Sequence, residues 1–63
     1  MKHIIFFYDK RGNLEDSIET QYHYYRSKIK IVYNDNVYTV RGVTVDEDDD
    51  EVHISAYPYP KQI

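Results

Sequence analysis

The sequence contains no cysteine and no tryptophan, and only two glycines, two prolines and one methionine among its 63 residues. Without cysteine there is no disulfide to staple the chain and no thiolate to hold a metal. The lack fits a reducing compartment, and a cytoplasmic location is the expectation. Long hydrophobic runs are missing too. The first apolar run, residues 4–7, gives way to Tyr8 and Asp9. That is too short for the core of a signal peptide and far from the ~20 residues that span a bilayer. No membrane association is expected.

The short length excludes more. A chain of this size makes one domain and buries only about 60% of its unfolded surface. Catalysis lacks its usual parts. Ser17, Ser27 and Ser55 sit in no nucleophile-elbow motif, there is no thiol, and little chain remains to wall a pocket of a few hundred Å³. No enzyme and no cofactor are expected. Metal binding fails at the motif. Asp46, Asp48 and Asp50 open like a calcium loop, but Glu51 and Tyr57 stand where glycine and glutamate are required. His3, His23 and His53 have no zinc-ligand spacing.

What the chain does have is tyrosine: eight, with two phenylalanines. A tyrosine buries its ring and leaves its hydroxyl at the rim, which suits both a small core and a binding surface. Charge is the second feature. The net charge is −3, but it is uneven. Asp46, Glu47, Asp48, Asp49, Asp50 and Glu51 follow one another, whereas residues 21–33 carry Arg26, Lys28 and Lys30 and no acid. Such blocks mark solvated turns or interaction surfaces.

The hydrophobic pattern reads as strands. In residues 3–8, Ile5 and Phe7 share one face and Ile4, Phe6 and Tyr8 the other, as in a strand covered on both sides or at a barrel seam. The sequence Asp9-Lys10-Arg11-Gly12 is turn chemistry and predicts a hairpin returning at Leu14. Residues 28–54 form the organising stretch, a three-stranded antiparallel meander. Ile29, Ile31 and Tyr33 alternate on one face, Asn34-Asp35-Asn36 makes a tight turn, and residues 37–45 run back. Strict alternation over residues 37–45 places Tyr38, Val40, Gly42 and Thr44 on one face and Val37, Thr39, Arg41, Val43 and Val45 on the other. Gly42 marks a bend or bulge. After the acidic turn, Val52, Ile54 and Ala56 point inward, and Pro58 and Pro60 end the pairing.

Residues 14–26 admit two readings. Leu14, Ile18, Tyr22 and Tyr25 recur on one helix face, with Asn13 as the cap. The alternative is a strand followed by a loop, with Ile18, Thr20, Tyr22 and Tyr24 alternating. The run of aromatics is a poor helix interior, so the fold expected is all-β: a small, five-stranded, curled antiparallel sheet or barrel. The helical reading gives an α+β fold instead.

The order of elements carries a resemblance. A hairpin around Asp9-Lys10-Arg11-Gly12-Asn13, a loop, then Ile29-x-Ile31, Val37-Tyr38-x-Val40-x-x-Val43, Asp46 and Val52-x-Ile54 resembles the small SH3-like barrels of phages and mobile elements. Ser27-Lys28 replaces the Gly-Asp pair that often opens the third strand there. Gly42, following the hairpin, is similar to the glycine of Sm-like barrels, to which the leading hairpin is an addition. The resemblance implies a curled barrel and transfers no catalytic residue. The Tyr-, Ile- and Lys-rich composition, with a single alanine, fits an AT-rich bacterial or phage genome.

These readings place function in binding. The first is a protein-interaction module or inhibitor using Tyr22, Tyr24, Tyr25 and Arg26, residue types enriched at interface hot spots. The second is single-stranded nucleic-acid binding, with the same aromatics stacking bases and Arg26, Lys28 and Lys30 meeting phosphates. The third takes the acidic turn, residues 46–51, as a phosphate mimic that occupies a partner's basic site. A homodimer through edge strands is a fourth arrangement, because a sheet this small leaves edges unpaired.

Overall fold

A computed structural model of the chain describes residues 1–21 and 29–59. Five strands are present and, among the described residues, no helix: β1 Lys2–Tyr8, β2 Leu14–Thr20, β3 Lys30–Tyr33, β4 Asn36–Asp46 and β5 Glu51–Pro58. The all-β expectation holds. Residues 14–20 of the ambiguous segment are strand, and its remaining aromatics lie outside the described residues. The strands form one sheet in the order β2-β1-β5-β4-β3, curled into a half-barrel. No helix among the described residues is long and apolar enough to cross a membrane.

The meander β3-β4-β5 is antiparallel, as expected. The sheet as a whole is mixed, because β1 lies parallel to β5, with Ile5 beside Ile54 and Phe7 beside Ala56. This corrects the all-antiparallel reading. Alternation within a strand decides which residues point inward. It does not decide the direction of a neighbour distant in sequence, which follows from docking two hairpin units edge to edge.

Local chemistry sets both hairpins. In the first, Gly12 has φ +87°. Its N–H donates to the Asp9 carbonyl at 3.0 Å, and Asp9 Oδ1 accepts the N–H groups of Arg11 and Asn13 at 2.8 and 2.9 Å. These bonds hold the Asp9 carboxyl below the usual carboxylate range, the Asn13 N–H foremost. In the β3-β4 hairpin, Asn34 and Asp35 both take positive φ, 54° and 62°. That is the two-residue turn whose twist matches the flanking strands.

The core is the concave face. Ile5, Phe7, Tyr38, Val40, Val52, Ile54 and Ala56 are buried, with Ile18, Ile29, Ile31 and Tyr33 packed around them. The faces read from β1, β3 and β5 are therefore those observed. Phe7 anchors the centre, stacked on Tyr33 at 4.3 Å and edge-on to Tyr38 at 4.8 Å.

Strand β4 departs from strict alternation. The register shifts between Val40 and Gly42, leaving Arg41 as the extra residue of a bulge. Beyond it, Val43 pairs with Ile54 and Val45 with Val52, so both valines share the core side with Val40 rather than the outer side. They stay 44% and 55% exposed, since no described strand covers that end. Pairing also runs past Pro58. The strand includes that residue, and the Tyr59 N–H still donates to the Val37 carbonyl at 2.9 Å.

Candidate interaction surface

The second face of the sheet is the outer one, and its residues follow from register. Tyr57 lies opposite Thr39, and Thr39 opposite Lys30. Tyr8 continues β1 one step past the Phe7–Ala56 pair, which brings it beside Tyr57. A row therefore crosses four strands: Tyr8, Tyr57, Thr39, Lys30. The rings of Tyr8 and Tyr57 stack at 4.9 Å and 13°. From the opposite strand, the bulge aims Arg41 over the Tyr57 ring at 5.8 Å. Lys30 Nζ sits 4.3 Å over the ring of Tyr59. Val32 and Val37, paired with each other, flank the row and are 73% and 41% exposed.

The side chains of this surface pack against one another. Cross-strand neighbours on one sheet face support each other, and each ring of the row has a partner. At its centre the Thr39 hydroxyl is enclosed and makes no hydrogen bond among the described residues.

The opposite end of β4 and β5 is acidic. Asp46 ends β4 and pairs with Glu51, which begins β5. The turn between them is ordered. Asp46 Oδ1 accepts the Asp49 N–H at 3.2 Å, Asp50 takes a positive φ of 57°, and its carbonyl accepts the Lys2 N–H at 3.1 Å. The N-terminal ammonium lies 3.9 Å from the Asp50 carboxylate. Some of the acidic run thus closes the β4-β5 connection. Glu47 and Asp48 are exposed there and, with Thr44, Val45, Asp46 and His53, line an open depression. His53 Nε2 meets Glu51 Oε1 at 2.9 Å, and its ring stands edge-on to Phe6 at 5.1 Å.

Thr39 and Asp46 are seven positions apart on β4 (46 − 39), up to about 24 Å of extended chain. The Debye length at physiological salt is about 8 Å, so solvent ions largely screen the row from the acidic end.

Of the residues the sequence singled out, Lys30 is placed on the outer row. Tyr22, Tyr24, Tyr25, Arg26 and Lys28 lie outside the described residues. Asp46, Glu47, Asp48, Asp49, Asp50 and Glu51 are together at the far end. Sequence reading missed Tyr8, Arg41, Tyr57 and Tyr59. Alternation put Tyr8 on one of two apolar faces of β1 and Tyr57 on the face opposite Ala56, but only the register across β1, β5, β4 and β3 brings them into line. Among the described residues, no group of three or more histidines and acids is arranged to hold a metal ion.

No protein-family model, curated protein or solved structure matches this chain.

Proposed function

We propose that this is a non-enzymatic protein-interaction module and that it docks its partner on the outer row. The observation that carries this reading is the column Tyr8–Tyr57–Arg41, pre-packed on an exposed sheet face beside Tyr59 and the Val32–Val37 pair. Tyrosine and arginine are the residue types that dominate binding energy at protein interfaces. Rings already locked by their neighbours lose little freedom when a partner covers them. The curl and the five strands support a likeness to small SH3-like barrels, and the parallel β1-β5 pairing is where the chain departs from that likeness.

The nucleic-acid reading draws support from Lys30 and Arg41 but meets an obstacle. Base stacking needs an open ring face, and Tyr57 has Tyr8 on one side and Arg41 on the other.

The test is capture of a partner from the source cells by the full chain and by a Tyr8→Ala/Tyr57→Ala double variant. Loss of capture by the variant, with its strand signal retained in circular dichroism, supports the surface. Equal capture by both removes it.

A further inference from the structure

Two cations stand on this surface, Lys30 in the row and Arg41 at the bulge beside it, and each rests on a phenol ring. Neither has a carboxylate within ion-pair distance among the described residues. A guanidinium or ammonium lying over a ring still presents N–H donors away from it, so a carboxylate can pair with either cation directly while the ring contacts stay in place. Thr39 stands beside both, opposite Lys30 on β3 and two residues before Arg41 on β4. An ionised carboxylate only accepts hydrogen bonds, and it matches these two cationic donors. The exposed Lys10 and Arg11 lie in the turn just beyond Tyr8 and extend the positive field past the row. The chain's own acidic turn is at the other end of β4, so it repels an anionic partner at that end and leaves the row as the favourable landing place.

From this we infer that the partner presents an acidic peptide segment, and that its carboxylates settle between Arg41 and Lys30 above Thr39. The inference rests on the outer row being the docking surface. The same cations would attract a phosphate backbone, but the covered faces of Tyr57 favour a peptide, whose side chains pack against ring edges and hydroxyls without stacking.

The experiment is an amide-shift titration of the ¹⁵N-labelled full chain at low salt with three probes: an end-capped polyglutamate peptide, an end-capped polylysine peptide and oligothymidylate. Polyglutamate is expected to give saturable shifts at Lys30, Thr39, Arg41 and Tyr57. Arg41→Glu and Lys30→Glu are each expected to weaken it about tenfold, the loss of one charge-assisted contact. Both side chains are exposed, and each variant's own spectrum reports whether it is folded. Absence of shifts on the row, undiminished binding after both reversals, or equal binding of polylysine there overturns the inference. Tighter binding of oligothymidylate at the same amides also overturns it and assigns the row to single-stranded nucleic acid. Partner capture that needs Tyr8 and Tyr57 but ignores Arg41→Glu and Lys30→Glu removes the acidic segment and keeps the docking surface.

Discussion

The Tyr33 hydroxyl donates a 2.6 Å hydrogen bond to Asp16 Oδ2. Tyr33 is on β3 and Asp16 on β2, the two edges of the sheet. The bond ties the edges of the half-barrel, while the Tyr33 ring stacks on Phe7 inside it. It also places a charged, inward-turned residue on an edge strand, a device that discourages edge-to-edge pairing.

The bond makes stability depend on pH at both extremes. The Tyr33 hydroxyl, foremost, and the Ser17 N–H hold the Asp16 pKa below its ordinary value. A depressed carboxylate contributes stability that is present above its unfolded pKa, about 4, and is lost as pH falls through the folded value. The same bond to Asp16 raises the Tyr33 pKa above its ordinary 10.0. That contribution is complete below the unfolded value and is lost as pH rises through the folded one. Tyr33→Phe keeps the ring stacked and removes the bond. Urea midpoints measured from pH 2 to 11 are expected to fall less steeply at both ends for the variant than for the parent. Burial also raises Tyr38, so some alkaline sensitivity remains. Parallel curves for the two proteins would show that the bond contributes nothing.

The core predictions are quantitative. Ile54 is fully buried at the middle of β5, and Ile54→Val is expected to cost about 0.5–1.5 kcal/mol. Phe7 touches both Tyr33 and Tyr38, and Phe7→Ala is expected to cost about 3–5 kcal/mol. A domain this small has few kcal/mol to lose, so that variant should be unfolded at room temperature. Urea denaturation followed by circular dichroism reads both.

The two glycines are expected to respond in opposite ways. Gly12 sits at φ +87° with open space around it, so Gly12→Ala is penalised by backbone conformation alone, by about 1–2 kcal/mol. Gly42 has no positive φ, and a methyl group added there would meet nothing within 4 Å. Gly42→Ala should be neutral or stabilise by up to about 1 kcal/mol, by restricting the unfolded chain. The bulge beside it therefore depends on the extra residue Arg41 rather than on glycine itself. A thermal melt of each variant decides the point.

Asp48 is exposed on the acidic turn, away from the outer row. Asp48→Lys is expected to leave partner capture unchanged and to relieve repulsion among its neighbours. If the acidic turn acts as a phosphate mimic, the same substitution abolishes capture instead.

Much of the fold was readable because inward residues alternate. Ile5 and Phe7, Ile29 and Ile31, and Val52, Ile54 and Ala56 all lie on the expected face. The Asn34-Asp35 turn was readable because few residue types tolerate positive φ. Two things escaped. The side on which Val43 and Val45 fall depends on one extra residue at Arg41, which reverses the alternation beyond it. The outer row depends on register between strands far apart in sequence: alternation put Tyr8 on one of two apolar faces of β1 and Tyr57 on the face opposite Ala56, and only the β1-β5 pairing sets the two side by side. The Tyr-rich stretch drew attention because its signal is local.

The most direct test of the outer row as the docking surface is amide hydrogen exchange of the chain alone and in complex with its captured partner. Protection gained at Tyr8, Thr39, Arg41 and Tyr57, with residues 46–51 unchanged, is the result expected. Protection confined to residues 46–51 would contradict it.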